Sequence, residues 1–305
     1  MPTYTLQNDQ CRVRINSHGA ELASFQRRDL ADLEYIWQAD PAQWGRHAPL
    51  LFPIVGRLPE DTYLYNGQSY KLPQHGFARD QEFMLIHEEE TQLVFQLMAS
   101  PASKAVFPFE FELRVIYELH GTTLTVGWKV RNPAAAPHEL LFSIGAHPAF
   151  RCPLLPGEQF EDYYFEFNKP LELKRYLLQG GLRSGETAPV PLTDGPSVDD
   201  GTALPLTGDL FANDALVFSN QEYGDNIEWL VLRSSKSPRA VKVTFTRFSY
   251  LGLWTKSAQA GFVCIEPWQG VASAVGAPEE LADKEGIIVL PPSMEFHAAY
   301  TIEAL

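Results

Sequence analysis

Five short segments of the 305-residue chain hold seven side chains whose types and settings could do chemistry. Leu51-Phe-Pro-Ile-Val-Gly-Arg57 ends an apolar run on a guanidinium, either a solvated strand-end arginine or a planar donor fork for ligand oxygens. In Gln74-His-Gly-Phe-Ala-Arg79, Pro73 and Gly76 put His75 on a bend, with Arg79 just beyond. Ser143-Ile-Gly-Ala-His-Pro-Ala-Phe150 sets His147 between a small-residue turn and a proline that has no amide to donate. In Phe211-Ala-Asn-Asp-Ala-Leu-Val-Phe218, Asp214 precedes an apolar strand, where an Asx-turn would be ordinary. Phe262-Val-Cys-Ile-Glu-Pro-Trp-Gln-Gly270 runs an apolar strand straight into Glu266. A carboxylate there is costly unless it is paired, which makes it a site candidate, and Trp268 offers a ring face of the kind sugars stack upon.

Taken singly, each residue has a structural explanation: a core histidine bonded to a carbonyl, a buried Glu–Arg pair, a surface arginine. Taken together they are two histidines, a glutamate, an aspartate and two arginines at strand ends or bends. No serine or cysteine among them neighbours a base, and no metal-ligand spacing occurs. Signatures for hydrolase elbows, phosphate loops, dinucleotide folds and zincins are missing. Such an inventory suits proton transfer to and from a polyhydroxylated ligand, without specifying a reaction.

The elements that must position these residues read as strands. From Phe107 to Leu119 large apolar residues fall on odd positions, and a second alternating run, Leu124 to Val130, follows the turn at His120-Gly121. Further short strands are expected at Cys11–Ile15, Ala20–Arg27, Glu82–Glu88, Thr91–Ala99, Glu139–Ile144, Ala215–Ser219, Ile227–Leu232, Val241–Phe248, Phe262–Glu266 and Phe296–Ile302. Brief helical turns fit at Asp40-Pro41, Ser100-Pro101 and Ala277–Ala282. The stretch Gly180–Asp209, rich in Gly, Pro, Ser, Thr and Asp, is expected to be an irregular excursion from one all-β domain spanning 1–305.

Lys and Arg number 24 against 38 Asp and Glu, a net charge of −14, which disfavours nucleic acid as a partner. No apolar run is long enough for a membrane span and no secretory leader is visible. Three scattered cysteines suggest no disulfide framework, so a cytoplasmic chain with a small ligand is the expectation.

The order LFPIVGRL, QHGFAR, IGAHPAF, NDALVF, CIEPWQG resembles the aldose 1-epimerase (galactose mutarotase-like) family, and the closing KEGIIVLPPSMEFHAAYTIEAL is similar to its last strands. The resemblance implies a large antiparallel β-supersandwich with few short helices and an open sugar cleft. It also implies a cofactor-independent isomerase that interconverts hexose anomers. Glu266 would take the proton of the anomeric hydroxyl, His147 would protonate the ring oxygen, and His75 would polarise or position the ring-oxygen region. Arg57 and Asp214 would hold hydroxyls, with Arg79 and Trp268 also lining the site. The galactose-specific branch has Asn-Arg-Ile shortly after its Gly-Arg and a Leu-His-Gly-Gly motif, where this chain has Leu58-Pro-Glu-Asp-Thr62 and Gln74-His-Gly-Phe77. The His-Gly-Phe-Ala-Arg form is similar to the hexose-6-phosphate epimerase branch, so a free or a phosphorylated hexose is implied. A glycoside hydrolase or lyase and a non-catalytic sugar-binding module are the competing readings. The oligomeric state has no signature.

Overall fold

Alternating apolar residues become strands whose buried faces meet mainly in one large cluster of side chains running from Leu6 to Ala304, with two smaller clusters around Trp268 and around Phe262. The computed structural model describes residues 2–195, 198–220 and 227–305. Two antiparallel sheets dominate. One holds, in spatial order, Thr193–Gly195, Val198–Pro205, Tyr163–Phe167, Trp229–Ser234, Ala240–Thr244, Glu295–Ala304, Thr123–Arg131, Glu112–His120, Gln92–Met98 and Met84–Glu88. The other runs Leu182–Val190, Leu173–Gln179, Leu216–Ser219, Tyr250–Trp254, Phe262–Gln269, Ile144–Ala146 and Leu50–Leu51, with Ala149–Arg151 also paired to Phe262–Gln269. A smaller sheet begins with Thr3–Gln7, Cys11–Asn16 and Glu21–Arg27. Among the described residues helix is confined to short pieces, of which Pro101–Val106 is capped by Ser100 as its sequence predicts.

The segment expected to be irregular, Gly180–Asp209, instead contains three strands: Leu182–Val190, Thr193–Gly195 and Val198–Pro205. It leaves the second sheet and joins the first, and it supplies the outermost strand of each. Edge strands lie half in solvent and tolerate proline and glycine, so the alternation that marks central strands is absent there. The Phe107 run is corrected at its start. Phe107, Phe109 and Phe111 are buried on alternate positions, yet the ladder begins only at Glu112, past Pro108. The turn expected at Ala277–Ala282 is a 3-10 turn at Leu281–Asp283. At Asp40-Pro41 the chain makes a turn closed by Trp44 N–H donating to Asp40 O (2.8 Å), without a helix.

The strand Phe262–Gln269 sits inside the second sheet, and its neighbour on one side is broken in two at His147-Pro148. Ile144 pairs with Gln269 before the break and Ala149 pairs with Cys264 after it. The same register runs through both ladders, which sets His147 opposite Glu266. On the other side Glu266 pairs with Gly252. Phe262, Cys264, Glu266 and Trp268 share one face by the two-residue period of a strand.

Candidate functional site

A cavity of about 420 Å³ opens over that face. Its wall takes in Arg57, His75, Arg79, His147, Asp214, Glu266 and Trp268, so all seven sequence candidates line one space.

At its centre His147 Nε2 lies 3.2 Å from Glu266 Oε2. The contact is a close approach without hydrogen-bond alignment. Glu266 Oε2 and His147 Nδ1 are both buried with no hydrogen-bond partner among the described residues. Glu266 is 1 % exposed, and burial, helped by the Asp214 charge, pushes its carboxyl well above the ordinary range. Burial pushes His147 the other way, down to about 3, with the Arg79 and Arg46 charges adding to the effect. Burial thus disfavours the charged form of both partners and favours a protonated carboxyl beside a neutral imidazole. Cys264 packs beside them, with donor atoms of all three residues within 4.8 Å of one another. Its thiol keeps its proton, because burial raises its pKa well above the ordinary value.

His75 is held by two loops that interlock. Its backbone N–H donates to Gly56 O (2.9 Å), and Gly56 N–H donates back to His75 Nδ1 (3.1 Å). An amide can only donate, so Nδ1 is the acceptor and the imidazole proton sits on Nε2, where the Gln74 side-chain amide, 3.3 Å away, must turn its oxygen to meet it. Burial, followed by His147, Arg79 and Arg46, lowers the proton affinity of His75 well below the ordinary value, so the ring is a neutral Nε2–H donor. The bend itself uses left-handed backbone at His75 (φ 68) and Gly76 (φ 70).

Trp268 forms part of the wall. Its Nε1–H donates to Ala146 O (3.0 Å), which fixes the indole. Both neighbouring strands carry glycine beneath the ring: a Cβ on Gly145 would lie 2.6 Å from Trp268 Cδ1, and one on Gly252 would lie 2.7 Å from Cη2. Two glycines thus let an indole lie against the sheet.

The charged residues are arranged around this centre. Arg57 is half-exposed, with Nη1–H donating to Gly180 O (3.1 Å) and Nε 3.3 Å from Asp61 Oδ1. Arg79 is more buried. Its Nη2–H donates to Gln74 O (2.6 Å), while its Nε has no hydrogen-bond partner among the described residues. Asp214 is exposed, in left-handed backbone (φ 75), and its Oδ1 accepts from Ala215 N–H (2.8 Å).

Sequence reasoning missed Trp44, Gln74 and Trp254, as well as Gly180 and Gly181, which also line the cavity. Trp254 was within reach, because it ends an apolar strand, the setting expected of Glu266, which the structure instead places inside the strand Phe262–Gln269. Trp44 was not, since it stands in a loop with no periodicity to flag it. It stacks on His147 with ring centroids 4.9 Å apart and planes at 28°.

The comparisons with known proteins agree with this architecture. A sequence profile described as aldose 1-epimerase matches residues 2–285. The chain is 32% identical over 309 residues to the chromosomal protein LacX of Lactococcus lactis subsp. lactis, covering 99% of both chains. A galactose mutarotase related enzyme from Lactobacillus acidophilus superposes with a TM-score of 0.88 at 34% identity, over 100% of this chain and 97% of that one. A galactose mutarotase-like protein from Lactobacillus casei superposes with a TM-score of 0.89 at 29% identity, over the whole of both chains. None of the helices among the described residues is long and apolar enough to cross a membrane.

Proposed function

The chain belongs to the aldose 1-epimerase family, and from that premise we propose that it is a cofactor-independent mutarotase interconverting the α and β anomers of a hexose. The carrying observation is the buried His147–Glu266 pair, register-opposed and 3.2 Å apart on the wall of a sugar-sized cavity. A pair that shares one proton can hold it at either end. With the proton on His147, Glu266 is a carboxylate and takes the proton of the anomeric hydroxyl. His147 gives its proton to the ring oxygen as the C1–O5 bond breaks. The products are the open-chain aldehyde, neutral His147 and protonated Glu266, so charge and protons balance. Rotation about C1–C2 and closure with the roles reversed return the pair to its starting state with the other anomer formed.

Each positioned acid or base contributes about 10²–10⁴-fold to such a reaction. His75 supports it through the Nε2–H that its bond from Gly56 imposes. Once a sugar displaces the Gln74 side chain from Nε2, that proton can go to the ring oxygen or to the oxygen on C1. Arg57 and Asp214 are assigned to sugar hydroxyls, and Trp268 to the apolar face of the ring. Residues 1–305 form one unit in this reading, which is supported by the buried cluster that runs from Leu6 to Ala304.

A phosphorylated hexose is the second reading for the substrate. Arg57 and Arg79 line the same cavity and supply two guanidinium groups, although Arg79 Nε is buried and faces Asp80 Oδ2 at 3.9 Å. One experiment addresses both readings and the non-catalytic alternative. Freshly dissolved α-glucose, α-galactose and glucose 6-phosphate are followed by polarimetry with and without protein. Acceleration of any one supports the mutarotase reading, and the preferred sugar decides between the two substrates. No acceleration of any aldose in a wider panel, with sugar binding retained, would establish a binding module instead.

A further inference from the structure

A histidine that carries protons is usually held by a hydrogen bond on the nitrogen away from its substrate. His147 has no aligned partner there: its Nδ1 is buried with no hydrogen bond of good geometry among the described residues, and the one backbone contact that favours its charged form comes from its own main chain. Its ring is bounded instead by aromatic surfaces. Trp44 lies along one face at 4.9 Å and 28°, Trp254 meets it at 5.8 Å and 79°, and His75 at 5.7 Å and 89°. Trp44 also stacks on Phe262 at 5.5 Å and 23°.

The loop that carries Trp44 is itself tied down through its carbonyls. Trp37 Nε1–H donates to Trp44 O (2.9 Å), and Lys256 Nζ donates to Ala42 O (3.1 Å) and Gln43 O (3.0 Å). Beyond it, His47 and Ala48 N–H donate to Glu21 Oε1 (2.8 and 3.0 Å). A loop without regular secondary structure is thus fixed at several points on either side of one indole.

We propose that Trp44 is a positioning residue for His147, replacing the missing hydrogen bond by setting the plane of the imidazole and keeping water from its buried face. The inference rests on the mutarotase reading for its functional consequence, though the geometry does not depend on that reading. Stacking on a rigid indole leaves Nε2 directed at Glu266 and the cavity while Nδ1 stays dry. The charged and titratable groups around His147 are Glu266 and Cys264 on Phe262–Gln269, His75 on its bend, Arg79 beyond that bend and Arg46 beside Trp44. None of these changes when Trp44 is replaced. Burial is the leading cause of the depressed proton affinity of His147, so admitting water raises it.

The test compares Trp44→Ala, Trp44→Leu and Trp44→Phe. The His147 ring is followed by NMR titration of its Cε1–H resonance, assigned from the spectrum of His147→Asn. Trp44→Ala is expected to move the His147 titration upward by a pH unit or more and to lower kcat about tenfold, with a smaller change in KM. Trp44→Leu keeps an apolar cover without a plane, so it should hold the titration low while still losing kcat. Trp44→Phe should recover most of both. Should Trp44→Ala not fold, the Leu and Phe variants still separate plane from cover. An unchanged titration in Trp44→Ala, or equal kcat in the Leu and Phe variants, would overturn the proposal. The NMR arm needs no turnover, so a wild-type protein that turned over no sugar would refute the mutarotase reading while leaving the cover role of Trp44 tested on its own.

Discussion

His147 Nε2, in the break of one strand, faces Glu266 Oε2 on the adjacent strand at 3.2 Å, and burial moves their proton affinities in opposite directions. The sequence alone suggests a rate limited by a carboxylate on the acid side and a histidine on the alkaline side. In the free protein burial exchanges them. The pair gains a second proton only as pH falls toward about 3, and loses its last one above the ordinary carboxyl range. The profile of kcat/KM, which reports the free enzyme, should therefore be a broad plateau across mildly acidic pH. Mutarotation rates corrected for the spontaneous reaction will check this. An acid limb near 6.5 would mean that His147 titrates as an ordinary solvated imidazole, and the dry-pair description would be wrong.

Glu266→Gln should separate function from stability. Gln keeps the shape of the side chain but cannot accept a proton, so kcat should fall by about 10²-fold or more with sugar affinity little changed. Stability should move the other way. The folded-state pKa of Glu266 is raised, so above its unfolded value the unfolded chain has released a proton that the folded chain still binds. Its contribution to stability is present at low pH and declines as pH rises through the folded value. Gln lacks that decline, while His75 and His147 are present in both proteins. The gain in Tm over wild type should grow from pH 5 to pH 8, reaching about 2 °C for each kcal/mol. A variant less stable than wild type at pH 8 would count against a buried, hard-to-ionise carboxyl.

Gly252 is the gap that Trp268 occupies. An added Cβ would sit 2.7 Å from the indole and 3.3 Å from Glu266 Cβ. Gly252→Ala must tilt the ring, at a cost of about 1–3 kcal/mol for overpacking. Because the indole is assigned to the sugar face, KM should also rise, by about tenfold if roughly 1.4 kcal/mol of binding is lost. Gly127→Ala is the matched control, since its Cβ would meet nothing closer than 3.8 Å. Equal KM values for the two variants, in thermal-shift and rate measurements made side by side, would remove Trp268 from the sugar site.

The all-β architecture was legible because central strands alternate, as in Leu124 to Val130, and alternation needs only one sheet face to be buried. The positions of Glu266 and His147 were legible for a related reason. A titratable side chain closing an apolar run stands where a sheet presents its ligand face. Their direct opposition was hidden, because register between strands more than 100 residues apart leaves no trace in either local sequence. The edge strands of 182–205 were hidden as well, since a strand half in solvent keeps neither the period nor the composition of a central one. Trp44 was unreadable because its position depends on carbonyls gripped by distant side chains, among them Lys256.

Asp214 offers the sharpest test of coupling between the exposed part of the cavity and its centre. Its charge is the second cause, after burial, of the raised proton affinity of Glu266. Asp214→Asn removes the charge and little else, because asparagine also tolerates left-handed backbone and can accept the Ala215 amide through its side-chain oxygen. Two effects should appear together. KM should rise several-fold, to about tenfold, from a weakened bond to a sugar hydroxyl, with kcat little changed. The alkaline limb of kcat/KM should move to lower pH, because Glu266 loses a neighbour that opposed its ionisation. Asp214→Ala should raise KM further by also releasing the Ala215 amide. If KM rises while the alkaline limb stays in place, Asp214 binds sugar without tuning Glu266. If neither moves, Asp214 does not belong to the site, and the cavity draws its polarity from the other polar residues that line it.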